Sequence, residues 1–117
     1  MTDKSVDFAI RMAKCYQYLM NDRQEFIMSK QMYRSGTSIG ANVREGLNAQ
    51  SRKDFISKLN IALKEAGETD YWLDVIHSAE YFTDQEYDSL KADNDELLKL
   101  LTSTIKKTKE NGIAEKN

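Results

Sequence analysis

The chain has no proline, one cysteine and one histidine in 117 residues. Each scarcity removes a class of answer. An all-helical chain tolerates the lack of proline best, because its connections can be few and short. Cys15 alone cannot form an intrachain disulfide. His77 alone cannot supply the Glu-x-x-His pair on each of two helices that di-metal bundles use, nor the usual His/Cys set of a zinc site. Cys15 and His77 fall on different predicted helices with no orienting group, so a Cys–His nucleophile has no support. The glycine-rich run from Gly36 to Gly40 lacks the Gly-Lys-Ser/Thr ending of a phosphate loop. No apolar run approaches the roughly 18 residues of a membrane span. Met1-Thr2-Asp3-Lys4-Ser5 lacks the basic-then-apolar pattern of a secretory signal. The expectations are a cytoplasmic protein that is not an enzyme, with no membrane association, catalytic residue, metal or cofactor.

What is present is a soluble globular composition, 40% hydrophobic and 31% charged, in a length that suits one domain over residues 1–117. The net charge of −2 argues against a generic nucleic-acid binder, but the charges are unevenly spread. Residues 1–64 carry 11 basic and 6 acidic side chains, and residues 65–117 carry 6 and 13. Either basic and acidic helices face each other, or a basic face is exposed to meet phosphate.

Hydrophobic spacing predicts four helices and no strands. The first spans about 4–21 with two apolar stripes: Val6, Ala9/Ile10, Ala13, Tyr16 and Met20, and Phe8, Met12, Cys15 and Leu19. Two stripes imply burial on more than one side. Asp22 and Glu25 resemble a capping pair opening the second, over about 23–47. Its glycines Gly36 and Gly40 are costly in a helix unless a neighbour approaches closely. The alternative is a break near Ser35–Gly40. Ser51 caps the third helix, about 52–82, whose seam runs Phe55, Leu59, Ala62, Ala66, Thr69, Leu73 and Ile76. Thr83 and Glu86 form a capping box for the fourth, about 84–110, with stripe Tyr87, Leu90, Leu97, Leu101 and Ile105. Lys106, Lys107 and Lys109 suit the negative end of its dipole, Gly112 suits a stop, and 112–117 reads as a tail. Short connections make this an all-α, antiparallel up-down-up-down four-helix bundle.

The most informative segment is Gln31 to Gly46. Gln31, Arg34, Ser35, Ser38, Asn42 and Glu45 recur three or four apart, along one helix face. Reversing the chain near residues 48–49 places Ser35 opposite Ala62, Ser38 opposite Leu59, Arg34 near Leu63 and within one turn of Glu65, and Glu45 near Arg52 and Lys53. The expectation is a close, polar seam in which a buried Arg34 pairs with Glu65 or Glu68, since an unpaired buried charge is strongly destabilising. Small residues, Ser35, Gly36, Ser38, Gly40 and Ala41 against Ala62, Ala66 and Gly67, would let the two axes approach.

Arg44, Arg52, Lys53 and Lys58 form the best basic cluster, at the turn between the second and third helices. A helix N-terminus there also favours anions, so the cluster is the candidate phosphate contact; ordinary solvation with a Glu45 pair is the other reading. Asp93, Asp95 and Glu96 read as a solvated face of the fourth helix, and Tyr18, Tyr33, Tyr71 and Tyr81 are candidates for a subunit interface.

Gln31-x-x-Arg34-Ser35-x-x-Ser38-Ile39-x-Ala41-Asn42-x-x-Glu45-Gly46 resembles the hallmark of the bacterial four-helix proteins related to the 23S ribosomal RNA intervening-sequence protein. Phe55-Ile56-x-x-Leu59-x-Ile61-Ala62-Leu63-x-Glu65-Ala66-x-Glu68-Thr69-x-x-Trp72-Leu73 is similar to that family's third helix. The resemblance implies an antiparallel bundle, a homo-oligomer with a ring-like pentamer as the family arrangement, and no established enzymatic activity. A similar fold serves as the accessory protein of diversity-generating retroelements, which contacts nucleic acid and a reverse transcriptase. Many relatives carry proline where Gly40 stands, which implies a softer kink here or none. The resulting expectation is a non-catalytic, homo-oligomeric interaction protein whose partner is RNA, DNA or a nucleic-acid-handling protein. The alternative is a small-molecule or metal-binding bundle.

Overall fold

The computed structural model describes residues 1–116, with side chains through Gly112. Four helices follow in order: α1 (Thr2–Asn21), α2 (Met28–Leu47), α3 (Arg52–Ser78) and α4 (Asp84–Lys116). Among the described residues there is no strand. The molecule is a rod of 56 × 22 × 20 Å.

Cross-helix pairs fix the topology. Met12 lies against Gly36 and Ser5 against Gly40. Arg34 pairs with Glu68, and Glu45 with Lys58. Tyr87 bonds Asp74, and Asn94 bonds Ala66. Lys4 meets Glu96, and Arg11 meets Asp93. In each set one number rises as the other falls, so every neighbouring pair is antiparallel and the bundle runs up-down-up-down. The core is one apolar column that includes Phe8, Met12, Leu19, Met32, Ile39, Leu59, Leu73, Ile76, Leu90 and Leu101. Full burial of each such side chain contributes about 1.5–3 kcal/mol.

The helix ends have local causes. Ser51 accepts from the Asp54 amide at 3.0 Å and caps α3. Thr83 and Glu86 make the reciprocal capping box at α4, with amide bonds of 2.8 and 3.1 Å. Three boundaries differ from expectation. The second helix begins at Met28 rather than about Arg23. Gln24 takes φ 53° in the connection, and Glu25 serves as a cap from outside the helix. Its carboxylate accepts from the Ile27 and Ser29 amides at 3.2 and 2.7 Å. Burial works against that charge, but the amides of Ser29, Ile27 and Met28 outweigh it and hold the Glu25 carboxyl below its ordinary value. The third helix ends at Ser78, because Glu80 adopts φ 70°, a left-handed stop made without glycine. The fourth passes through Gly112, where the expected stop does not occur. A Cβ there would lie 3.2 Å from Cδ of Arg52, so the glycine admits the arginine side chain. Within the tail expected over 112–117, Asn117 lies outside the described residues. α2 is unbroken through Gly36 and Gly40, so the break near Ser35–Gly40 is not formed.

Candidate functional site

The polar seam between α2 and α3 is real but differs from its expected form. Ser35 is fully buried, and its Oγ accepts from Thr69 Oγ1 at 2.9 Å. Ser35 donates in turn to the Met32 carbonyl, and Thr69 shares its one hydroxyl hydrogen between Ser35 and the Glu65 carbonyl, 2.8 Å away. Ser35 therefore meets Thr69, about two helical turns beyond Ala62. The reason is the 48–51 connection, which is wound into a tight turn by bonds from Asn48 and Ala49 to Arg44, Glu45 and Gly46 carbonyls. The chain therefore does not reverse about the midpoint of that loop. Glu45 shifts with it, pairing with Lys58 at 2.8 Å rather than with Arg52 or Lys53.

Arg34 does pair with both Glu65, at 3.4 Å, and Glu68, and Gln31 Oε1 accepts from its Nε at 3.5 Å. It is not buried: its side chain is 48% exposed. The guanidinium bridges the outer rim of the seam and keeps its access to water. Ser38 and Asn42 bond within α2, to the carbonyls of Arg34 at 2.6 Å and Ser38 at 2.8 Å.

The small residues divide between two interfaces instead of lining one. A Cβ on Gly36 would fall 2.7 Å from Sδ of Met12, and one on Gly40 would fall 3.2 Å from the Ser5 carbonyl oxygen. Both glycines therefore face α1. Gly46 faces α3, packing against Phe55, Lys58 and Leu59, while Gly67 borders open space. α2 is thus gripped from two sides.

The four basic candidates occupy different settings. Lys58 is engaged by Glu45, whose carboxylate raises the lysine above its usual range. Arg44 lines the α1–α2 groove, Arg52 lies along Gly112 of α4, and Lys53 borders a shallow surface on α3 with Ile61 and Lys64.

A second network escaped sequence reasoning. Lys91, with a side chain 20% exposed, reaches Asp70 and, at 3.2 Å, Asp74. Burial alone would depress its ammonium, but the two carboxylates override this and raise it. Tyr87 donates to Asp74, which lowers that carboxyl and raises the phenol. His77 stacks on Tyr87 with centroids 3.9 Å apart and meets Asp84 at 2.7 Å. Asn94 is fully buried and donates to the Ala66 carbonyl at 3.0 Å. Its position between Leu90 and Leu97 in the α4 stripe was the available signal. Asp93 and Glu96 tie α4 to Arg11 and Lys4, so two of the three expected solvated carboxylates bridge helices.

Between α1 and α4 lies a cavity of about 270 Å³ lined by Arg11, Cys15, Tyr18, Phe82 and Leu90 among others. Burial pushes the Cys15 thiol above its ordinary value, away from the thiolate a nucleophile needs. Among the described residues no group of three or more His, Cys, Asp or Glu is placed to hold a metal ion. Nor is any helix among them long and apolar enough to cross a membrane.

These features define an all-helical bundle whose α2–α3 seam is tied by Ser35 with Thr69 and by Arg34 with Glu65 and Glu68. The chain belongs to the 23S rRNA-intervening sequence protein family, whose model matches residues 1–103. It is similar to a protein of unknown function from the S23 ribosomal protein family of Bacteroides thetaiotaomicron, known from a crystal structure. The two are 57% identical, with a TM-score of 0.89, over 90% of this chain and 94% of the other. No curated protein matches. Neither the family description nor that of the structural neighbour names an enzymatic activity.

Proposed function

We propose that the chain is a non-catalytic, homo-oligomeric scaffold of the cytoplasm that associates with RNA or with a nucleic-acid-handling partner. The observation that carries the assembly is the first apolar stripe of α1. Phe8, Met12 and Leu19 of the second stripe are buried in the core. Val6, Ala9 and Ala13 are only partly covered, and Ile10 is 50% exposed. With Thr37, Gly40 and Ala41 of α2, Val6, Ala9 and Ile10 line an open groove of about 580 Å³. Ile61 and Tyr71 on α3 add apolar surface at 40% and 57% exposure. Surfaces of this kind mark interaction sites. The family similarity adds the ring of five copies as the form to test, and the family's descriptive name supports ribosomal RNA as the nucleic acid to try first.

Size-exclusion chromatography with light scattering tests the assembly. A homo-oligomer is expected at micromolar concentration, and Ile10→Glu is expected to dissociate it while leaving the helical signal intact. A wild-type monomer would refute the reading.

A further inference from the structure

We propose that nucleic-acid phosphates are held at one end of the rod, on a basic tip that α4 builds together with the corner between α2 and α3. This rests on the nucleic-acid part of the function proposed above and supplies its site. The antiparallel register determines which charges share an end. The steps from Asp74–Tyr87 through Asp70–Lys91 to Ala66–Asn94 bring Arg52, at the start of α3, against Gly112 of α4. Lys109 stands one turn before Gly112, with Lys106 and Lys107 on the preceding turn, and all three are exposed. They share this end with Arg44 and Lys53, which are also exposed.

The opposite end has the opposite sign. There the 22–27 and 79–83 connections meet, joined by Arg23 bonds to the Tyr81 and Glu80 carbonyls at 3.0 and 3.2 Å. Asp22, Glu80, Asp84, Glu86 and Asp88 crowd that end. Along the middle, charges cancel across helices: Lys4 with Glu96, Arg11 with Asp93, Arg34 with Glu65 and Glu68, Lys91 with Asp70 and Asp74. At the tip, Glu45 is taken by Lys58. Asp3, Asp54 and Glu110 are the remaining described carboxylates there. Arg44, Lys53, Lys106, Lys107 and Lys109 make no ion pair among the described residues. The net charge of −2 therefore conceals a polarised molecule with one end suited to a polyanion. The family match stops at residue 103, so the three α4 lysines lie on a continuation of the helix beyond it. Buried Leu101 and Ile105 anchor that continuation to the core.

Fluorescence anisotropy tests the assignment, with a single-stranded RNA and, as a second arm, a duplex DNA, each titrated at several salt concentrations. The wild type is expected to bind both at low salt and to release both as salt rises. Replacing Lys106, Lys107 and Lys109 together by Gln is expected to weaken RNA binding by about tenfold or more and to flatten the log–log salt slope by about 2. Lys53→Gln, on α3, should flatten it by a smaller step, and Lys30→Gln, toward the acidic end, should leave it unchanged. Circular dichroism and light scattering of the variants should match the wild type, since all these side chains are exposed. RNA binding by the wild type with an unaltered slope in the triple variant would overturn the tip while leaving the nucleic-acid reading standing. No binding of either nucleic acid by the wild type at low salt would overturn both.

Discussion

α2 and α4 both neighbour α1 and hold it in different ways. Toward α2, the backbones pack closely beside the open groove that Ile10 lines: Met12 lies against Gly36, the Ser5 backbone against Gly40, and Tyr16 stacks on Tyr33 with centroids 4.8 Å apart. Toward α4, the contact is a groove spanned by exposed ion pairs, Lys4–Glu96 and Arg11–Asp93, with cavities of about 270 and 260 Å³ along it. The first flank depends on shape and the second on charge near water. Shape is unforgiving of added atoms, whereas exposed ion pairs are individually weak. The Gln31–Gly46 segment of α2 thus takes part in both kinds of packing, its glycines Gly36 and Gly40 facing α1 and its Ser35 and Arg34 facing α3.

This contrast can be broken in several ways. The largest effect is expected at Gly36. Gly36→Val must displace buried Met12 and should destabilise the protein by about 1–3 kcal/mol, read from urea unfolding. Glu25→Ala removes the cap of α2 and should cost about 0.5–2 kcal/mol at neutral pH. Because the folded carboxyl lies below its ordinary 4.5, the wild-type advantage should be complete above that pH and should fade as pH falls through and below it. Equal loss at all pH values would deny the carboxylate its role. Gly67→Ala should stabilise by roughly 0.5–1 kcal/mol, since open space surrounds that helical position. The smallest effects belong to the exposed ion pairs. Arg34→Ala and Arg11→Ala should each cost about 0–1 kcal/mol, less at high salt. A loss of several kcal/mol at Arg34 would restore the buried pair that its exposure argues against.

Much of the fold was legible because its signals are local. The capping box of Thr83 and Glu86, the Ser51 cap and the apolar stripes each depend on residues within one or two turns. The pairing of Arg34 with Glu65 and Glu68 was also legible, since opposite charges recur on adjoining helices at matching spacing. What was hidden depended on backbone choices that no residue type announces. Gln24 and Glu80 take left-handed conformations without glycine, so the ends of α2 and α3 were misplaced. The wound turn at 48–51 shifted the seam and left Thr69, not Ala62, as the partner of Ser35. Spacing assigned Gly36 and Gly40 to the α3 interface, but they face α1; α2 touches both helices, and residue spacing alone does not separate the two faces. The basic tip was hidden for a similar reason, since its lysines and Arg44 are far apart in sequence and meet only through the α3–α4 register.

Thermal melting of two single variants, Gly36→Ala and Gly67→Ala, confronts the architectural account most directly. The chemical change is the same, in helix interiors on the two sides of the bundle's packing divide. The melting temperature should fall for Gly36→Ala, whose new methyl group meets Met12, and rise for Gly67→Ala. A rise of similar size in both would mean that α2 is not gripped through its glycines.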